Sequence, residues 1–185
     1  MKRLFLAIKI SPNAKMIDTY NSIRKALEYN KISWIDPDKF HITLKFFGDT
    51  SEESISIVNR VIIDSIESFS SFDIEFKKTG VFGSSYKPRV IWFGITENEQ
   101  LQKLVKKLLN NLDEVGFRSD RQNFVPHLTI GRISRIVDKK LFNQEINRVK
   151  DVFLQKTTVD SIILYESILS TKEPIYNVIN IYNFN

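Results

Sequence analysis

His41-Ile42-Thr43-Leu44 and His127-Leu128-Thr129-Ile130 share one pattern, histidine–apolar–threonine–apolar, 86 positions apart in a chain of 185 residues. They hold the only two histidines in the sequence. In an extended strand residues i and i+2 project to one face and their neighbours to the other. Each stretch therefore reads as a strand that sends an imidazole and a hydroxyl to one side. Ile42, Leu44, Leu128 and Ile130 then enter a core. Two imidazoles and two hydroxyls meeting in one cleft would make an acid–base site for a phosphate ester.

Working outward, the same offset relates whole elements. Leu4-Phe5-Leu6-Ala7-Ile8 reads as an apolar strand, and Val90-Ile91-Trp92-Phe93-Gly94-Ile95 follows about 86 positions later. Ser11-Pro12 reads as a helix start, with Ser capping and Pro at the first helical position. Its counterpart is Thr96-Glu97-Asn98-Glu99, a capping box. Thr50-Ser51-Glu52-Glu53 is another, opening a helix with Ile55, Val58 and Ile62 on one face. Asp138 caps the matching helix, which carries Leu141, Phe142, Ile146 and Val149. Phe72-Asp73-Ile74-Glu75-Phe76 alternates as a strand, as do Ser161-Ile162-Ile163-Leu164-Tyr165 and a last strand, Ile175 to Ile181. The order strand, helix, His strand, helix, strand thus occurs twice. It predicts an α+β fold of two lobes, each an antiparallel sheet with two helices and each offering one His-x-Thr strand to a central cleft. The repeats fall at roughly residues 1–86 and 87–185 of a single domain, and the lobes are free to exchange terminal strands.

Composition bounds the rest. The chain is long enough for a sizeable core, and 14 Phe with 42% apolar residues agree. Gly83-Ser84-Ser85 reads as a loop at the lobe junction. No apolar run reaches the roughly 18–20 residues that cross a bilayer, and Leu4 already belongs to a strand, unlike a signal peptide. Zero cysteines exclude disulfides, thiolate metal sites and a thiol nucleophile. A cytoplasmic, soluble, monomeric protein with no membrane association is expected, a monomer because one chain carries both half-sites. The net charge of +5 is uneven. Residues 116–140 hold six basic side chains (Arg118, Arg121, Arg132, Arg135, Lys139, Lys140) against two acidic ones (Asp120, Asp138), a local +4 beside the second motif. A basic rim attracts a polyanion. Lys103, Lys106 and Lys107, by contrast, lie on the polar side of a helix whose buried stripe is Leu101, Leu104, Val105, Leu108 and Leu112.

Opening a phosphodiester without a metal needs a base for the nucleophile and an acid for the leaving oxygen. Paired histidines suit this because their ordinary pKa, about 6.5, lets one be neutral while the other is charged. Positioned acid–base groups contribute roughly 10²–10⁴-fold. The Thr43 and Thr129 hydroxyls would donate to the non-bridging phosphate oxygens. Two His without Cys or an adjacent carboxylate leave a metal short of ligands. A Ser-His-Asp triad would not explain the duplicated Thr. No Gly-x-Gly-x-x-Gly or Walker-type loop supports a dinucleotide or nucleoside triphosphate site. No cofactor is therefore expected.

At these residues the chain resembles the two-histidine (2H) phosphoesterase superfamily, and within it the RNA 2′,3′-cyclic phosphodiesterases of the LigT/ThpR type. The resemblance spans nearly the whole length: Arg3-Leu4-Phe5-Leu6-Ala7-Ile8, Phe40-His41-Ile42-Thr43-Leu44-Lys45-Phe46-Phe47-Gly48, Arg89-Val90-Ile91-Trp92-Phe93-Gly94, Phe124-Val125-Pro126-His127-Leu128-Thr129-Ile130-Gly131-Arg132 and Leu164-Tyr165-Glu166-Ser167. It implies a bilobal fold with pseudo-twofold symmetry. It also implies metal-independent opening of a terminal 2′,3′-cyclic phosphate on RNA or a nucleotide, leaving a 2′-phosphate. Joining of tRNA halves through a 2′–5′ linkage, the reverse reaction, is implied as secondary. By position His41 and His127 take the acid and base roles, and Thr43 and Thr129 bind phosphate. Arg132 corresponds to a residue that contacts the phosphate, and Phe46 to one that packs on the nucleoside.

Strict alternation places Phe46 with Ile42 and Leu44, and Arg132 off the face of His127. Both reach the cleft only if their strands end or bulge, which Gly48 and Gly131 make plausible. Besides the cyclic phosphodiesterase, two other readings stand. One is an RNA 3′-end trimming nuclease or an esterase for small cyclic nucleotides sharing the site. The other is a non-catalytic RNA- or phosphate-binding module, against which the retained titrating pair argues.

Overall fold

The computed structural model describes residues 1–118, 124–170 and 173–185. Among the described residues, nine strands and four α-helices are arranged as β1 (Lys2–Lys9), α1 (Ala14–Ala26), β2 (Lys31–Trp34), β3 (His41–Thr50), α2 (Glu52–Ile66), β4 (Phe72–Gly83), β5 (Pro88–Ile95), α3 (Glu99–Glu114), β6 (His127–Arg135), α4 (Lys139–Arg148), β7 (Gln155–Val159), β8 (Ser161–Ile168) and β9 (Ile175–Asn183). The α+β architecture expected from the patterning is present, and all strand pairings are antiparallel.

The strands run β7-β4-β5-β6-β3-β1-β8-β9 across one sheet, with β2 added to β6. This order reads alike from both ends: β6 answers to β3, β5 to β1 and β4 to β8. The middle is thin. β3 and β6 are joined by one residue pair, Ile42 with Leu128, whereas β1 and β3 pair along their whole length. β4, from the first half of the chain, pairs with β5 of the second, and β8 of the second half pairs with β1 of the first.

Alternation decides the two faces. Leu4, Leu6 and Ile8 of β1, Ile42 and Leu44 of β3, Ile91 and Phe93 of β5, and Leu128 and Ile130 of β6 join one core with the helices. The anticipated stripe of α3 is buried throughout, and Ile55, Val58 and Ile62 of α2 join the same core. On α4, Phe142 and Ile146 are buried and Val149 follows them at the helix end, while Leu141 is only half-buried. The other side of β1 carries a small second cluster, Phe5 and Ala7 with Ile163 and Tyr165. That side faces the cleft.

Three helix starts differ from expectation. Asn13, not Ser11, caps α1, its side chain accepting from the Met16 N–H at 2.8 Å. Gln155 accounts for the delay: it accepts from the Asn13 N–H and donates to the Ser11 carbonyl, and Asn13 stays extended. Ser51 rather than Thr50 caps α2, because Thr50 is the buried last residue of β3. Asn98 rather than Thr96 caps α3, since the Thr96 N–H bonds the Glu75 carbonyl. Asp138 caps α4 as anticipated. The Gly83-Ser84-Ser85 loop joins β4 to β5, with Gly83 at φ 116, a left-handed conformation suited to glycine.

Candidate active site

The contact between β3 and β6 builds the site. Ile42 and Leu128 pair and point into the core, so His41, Thr43, His127 and Thr129 flank them on the opposite face. Because the strands are antiparallel, His41 comes level with Thr129, and Thr43 with His127. All four line a cleft of about 620 Å³.

Phe46 and Arg132 reach the same cleft through two bulges. Ala7 pairs with Thr43 but Leu6 with Lys45, leaving Leu44 as the extra residue of β3. Trp92 pairs with Thr129 but Ile91 with Gly131, leaving Ile130 extra in β6. A bulge inserts one residue and reverses the alternation beyond it. Phe46 therefore sits opposite Phe5, ring centroids 5.9 Å apart, and Arg132 opposite Val90. The bulged positions are themselves 86 apart, as are Phe46 and Arg132. Gly131 is required here: a Cβ on it would lie 2.9 Å from Ile32 Cγ2 on β2. Gly48, at φ 71, follows a further shift at Phe47.

Each histidine is held in one tautomer. His41 Nδ1 lies 2.7 Å from the Lys39 carbonyl, and His127 Nδ1 lies 2.8 Å from the Val125 carbonyl. A carbonyl only accepts, so Nδ1 carries the hydrogen in both rings and Nε2 of the neutral ring is left as the acceptor. Burial pushes the His41 pKa below the ordinary 6.5. The bond to Lys39 opposes this, while Arg132 and His127 reinforce it. Burial likewise lowers His127, with the Val125 bond opposing and Arg132 reinforcing.

Rings that the sequence did not mark as functional pack against both imidazoles. Tyr176 of β9 meets His41 edge-on at 5.4 Å, and Phe5 lies 5.2 Å from the same ring. Phe82 of β4 meets His127 edge-on at 4.7 Å and rests on Trp92 at 5.1 Å. Trp92 lies over Gly80 and Gly94, where an added Cβ would approach its ring to 2.3 and 2.6 Å. The one available signal was the unbroken apolar run of β1, which needs cover on both faces; nothing local marks Tyr176 or Phe82.

The basic lining also departs from the anticipated rim. Of the described members of that cluster only Arg132 lines the cleft; Lys139 borders a separate hollow against α4. Arg118 contributes its carbonyl, which accepts from Lys45 Nζ. Asp120 and Arg121 lie outside the described residues. Arg3 and Lys45 supply the remaining positive charge along the cleft. Among the described residues no three His, Cys, Asp or Glu side chains come together as metal ligands, and no helix is long and apolar enough to cross a membrane.

The sequence profile of the 2′-5′ RNA ligase superfamily matches residues 9–168. The chain belongs to the 2′-5′ RNA ligase superfamily. Similar members include the RNA 2′,3′-cyclic phosphodiesterase of Methanocaldococcus jannaschii, 35% identical over 177 residues that cover 96% of this chain and 98% of the relative. The enzyme of the same description from Thermotoga maritima is 32% identical over 182 residues, covering 96% and 92%. Among solved structures, a Thermus thermophilus protein superposes with a TM-score of 0.80 at 22% identity, covering 98% and 97% of the two chains. Escherichia coli LigT in its apo form gives 0.74 at 20% identity, covering 99% and 97%. At these identities the structures show a shared fold. The resemblance read from the two His-x-Thr stretches is thereby borne out.

Proposed function

We propose that the chain hydrolyses 2′,3′-cyclic phosphodiesters at RNA ends, or on nucleosides, to 2′-phosphomonoesters, with His41 and His127 as the acid–base pair. The observation that carries this is the pair of imidazoles on one cleft face, each with Nδ1 committed to a carbonyl two residues back and Nε2 left for chemistry. One neutral Nε2 takes the proton of an attacking water as its oxygen bonds to phosphorus. The phosphorus–O3′ bond breaks, and the other histidine, as imidazolium, gives its Nε2 proton to O3′. Thr43 and Thr129 hydroxyls and the Arg132 guanidinium hold the non-bridging oxygens, whose charge is stabilised by donors already in place. Phe46, 62% exposed beside Phe5, offers a ring for the nucleobase. No step calls on a metal or cofactor.

The relatives described as RNA 2′,3′-cyclic phosphodiesterases support this substrate class. tRNA fragments fall within it, and 2′–5′ joining breaks the same phosphorus–O3′ bond with an RNA 5′-hydroxyl attacking in place of water. The chain acts as a cytoplasmic monomer and as a duplicated unit, one half-site from each repeat.

The test is hydrolysis of adenosine 2′,3′-cyclic phosphate in EDTA, with the product assigned by phosphorus NMR. A 2′-phosphate, lost at least 100-fold in both His41→Ala and His127→Ala, is the expected result. Folded wild-type protein that turns over neither this compound nor a short RNA with a cyclic end would overturn the reading.

A further inference from the structure

β1 presents Arg3, Phe5 and Ala7 in succession on the cleft face. Leu4 and Leu6 turn to the core, and Lys2, on the helix side, pairs with Glu52 of α2 at 3.3 Å. Ala7 is level with Thr43 and Phe5 with Phe46, so a straight line along this strand passes from the phosphate chemistry to the aromatic rings and then to an arginine. Phe5 is also level with Tyr165 of β8, its ring stacked at 5.2 Å, and Leu4 with Glu166. Extending that register by one step would set Arg3 across from Ser167, and both line the cleft. Arg3 is exposed and has no carboxylate within ion-pair distance among the described residues, Asp49 opposite it on β3 included.

We infer that Arg3, with the Ser167 hydroxyl beside it, forms a second phosphate subsite that takes the 5′-phosphate of the nucleotide carrying the cyclic end. The inference rests on the proposed function and deepens it: the preferred substrate is a nucleotide or an RNA end rather than a nucleoside. Four strand residues span about 13 Å, and the long arginine side chain shortens that gap. A nucleotide whose cyclic phosphate meets His41 and His127, and whose base lies on the exposed Phe46 ring backed by Phe5, brings its 5′-phosphate to the Arg3 end. Alternation of a cation with stacking rings is how single-stranded nucleic acid is held without reading sequence, and a guanidinium pairs with phosphate through two parallel N–H donors.

Two readouts test this, one independent of turnover. Calorimetry compares the binding of adenosine 2′-phosphate and adenosine 2′,5′-bisphosphate. Kinetics compare adenosine 2′,3′-cyclic phosphate with and without a 5′-phosphate. Wild-type protein is expected to favour the 5′-phosphorylated member about tenfold in both, the low end for a charged hydrogen bond. Arg3→Gln is expected to bring that ratio near one, while Arg60→Gln, which removes the same charge from the exposed side of α2, keeps it. The salt slope for the 5′-phosphorylated ligand should fall by about 0.7 in Arg3→Gln. A wild-type ratio near one, or a ratio that survives Arg3→Gln, overturns the subsite. Absence of turnover with the binding ratio intact would instead count against the proposed reaction and leave the subsite standing.

Discussion

Each imidazole is fixed at Nδ1 by a backbone carbonyl and desolvated by an aromatic ring, and both features leave a measurable trace. Charging either ring within the cleft costs solvation, so both pKa values lie below 6.5 in the free protein. The pH profile of kcat/KM reports the free enzyme's acid and base. Its maximum should therefore fall on the acid side of 6.5, with the kcat maximum at higher pH because a bound phosphate anion favours the imidazolium. A kcat/KM that keeps rising to pH 8 would contradict the assignment. Having only two histidines makes the environment of each readable, since two Cε1–H resonances titrate. Phe82→Leu opens His127 to water and should raise its pKa toward 6.5 while His41 holds still. Equal movement of both resonances would show a general loosening instead.

At the level of elements, the paired bulges decide what the cleft contains. Without Leu44 and Ile130 as extra residues, Phe46 and Arg132 would face the helices. The motif alone showed four side chains on one face. It could not show the two beyond the bulge, because a register shift depends on which partner strand is present, here β1 for one and β5 for the other. The helix caps failed for a similar reason: Ser11, Thr50 and Thr96 are competent caps by chemistry, but neighbouring strands and Gln155 claim the backbone first. Glycines at close contacts should be intolerant. Gly80→Ala sets a Cβ 2.3 Å from the Trp92 ring and should lower stability by about 1–3 kcal/mol, measured by urea unfolding. Because Trp92 backs Phe82, the same variant should also shift the His127 resonance.

Across the whole molecule, the sheet crosses between the sequence halves. β1 is flanked by β3 of its own half and β8 of the other, while β5 is flanked by β6 and by β4. Neither half can cover its central strand alone. Residues 1–86 and 87–185 expressed separately should lack cooperative unfolding, and the intact chain should unfold in one transition seen alike by circular dichroism and by tryptophan fluorescence. Independent folding of either fragment would refute this dependence.

The sequence by itself determined the class of fold, the helix stripes and the two His strands. Those follow from periodicity and side-chain type, which are local properties of the chain. Tertiary structure decided the rest: the single Ile42–Leu128 contact that brings the two His strands together, the bulges that turn Phe46 and Arg132 inward, and the arrival of Tyr176, Phe82 and Arg3 from distant segments. Pairing register is set between strands far apart in sequence, so no local pattern carries it.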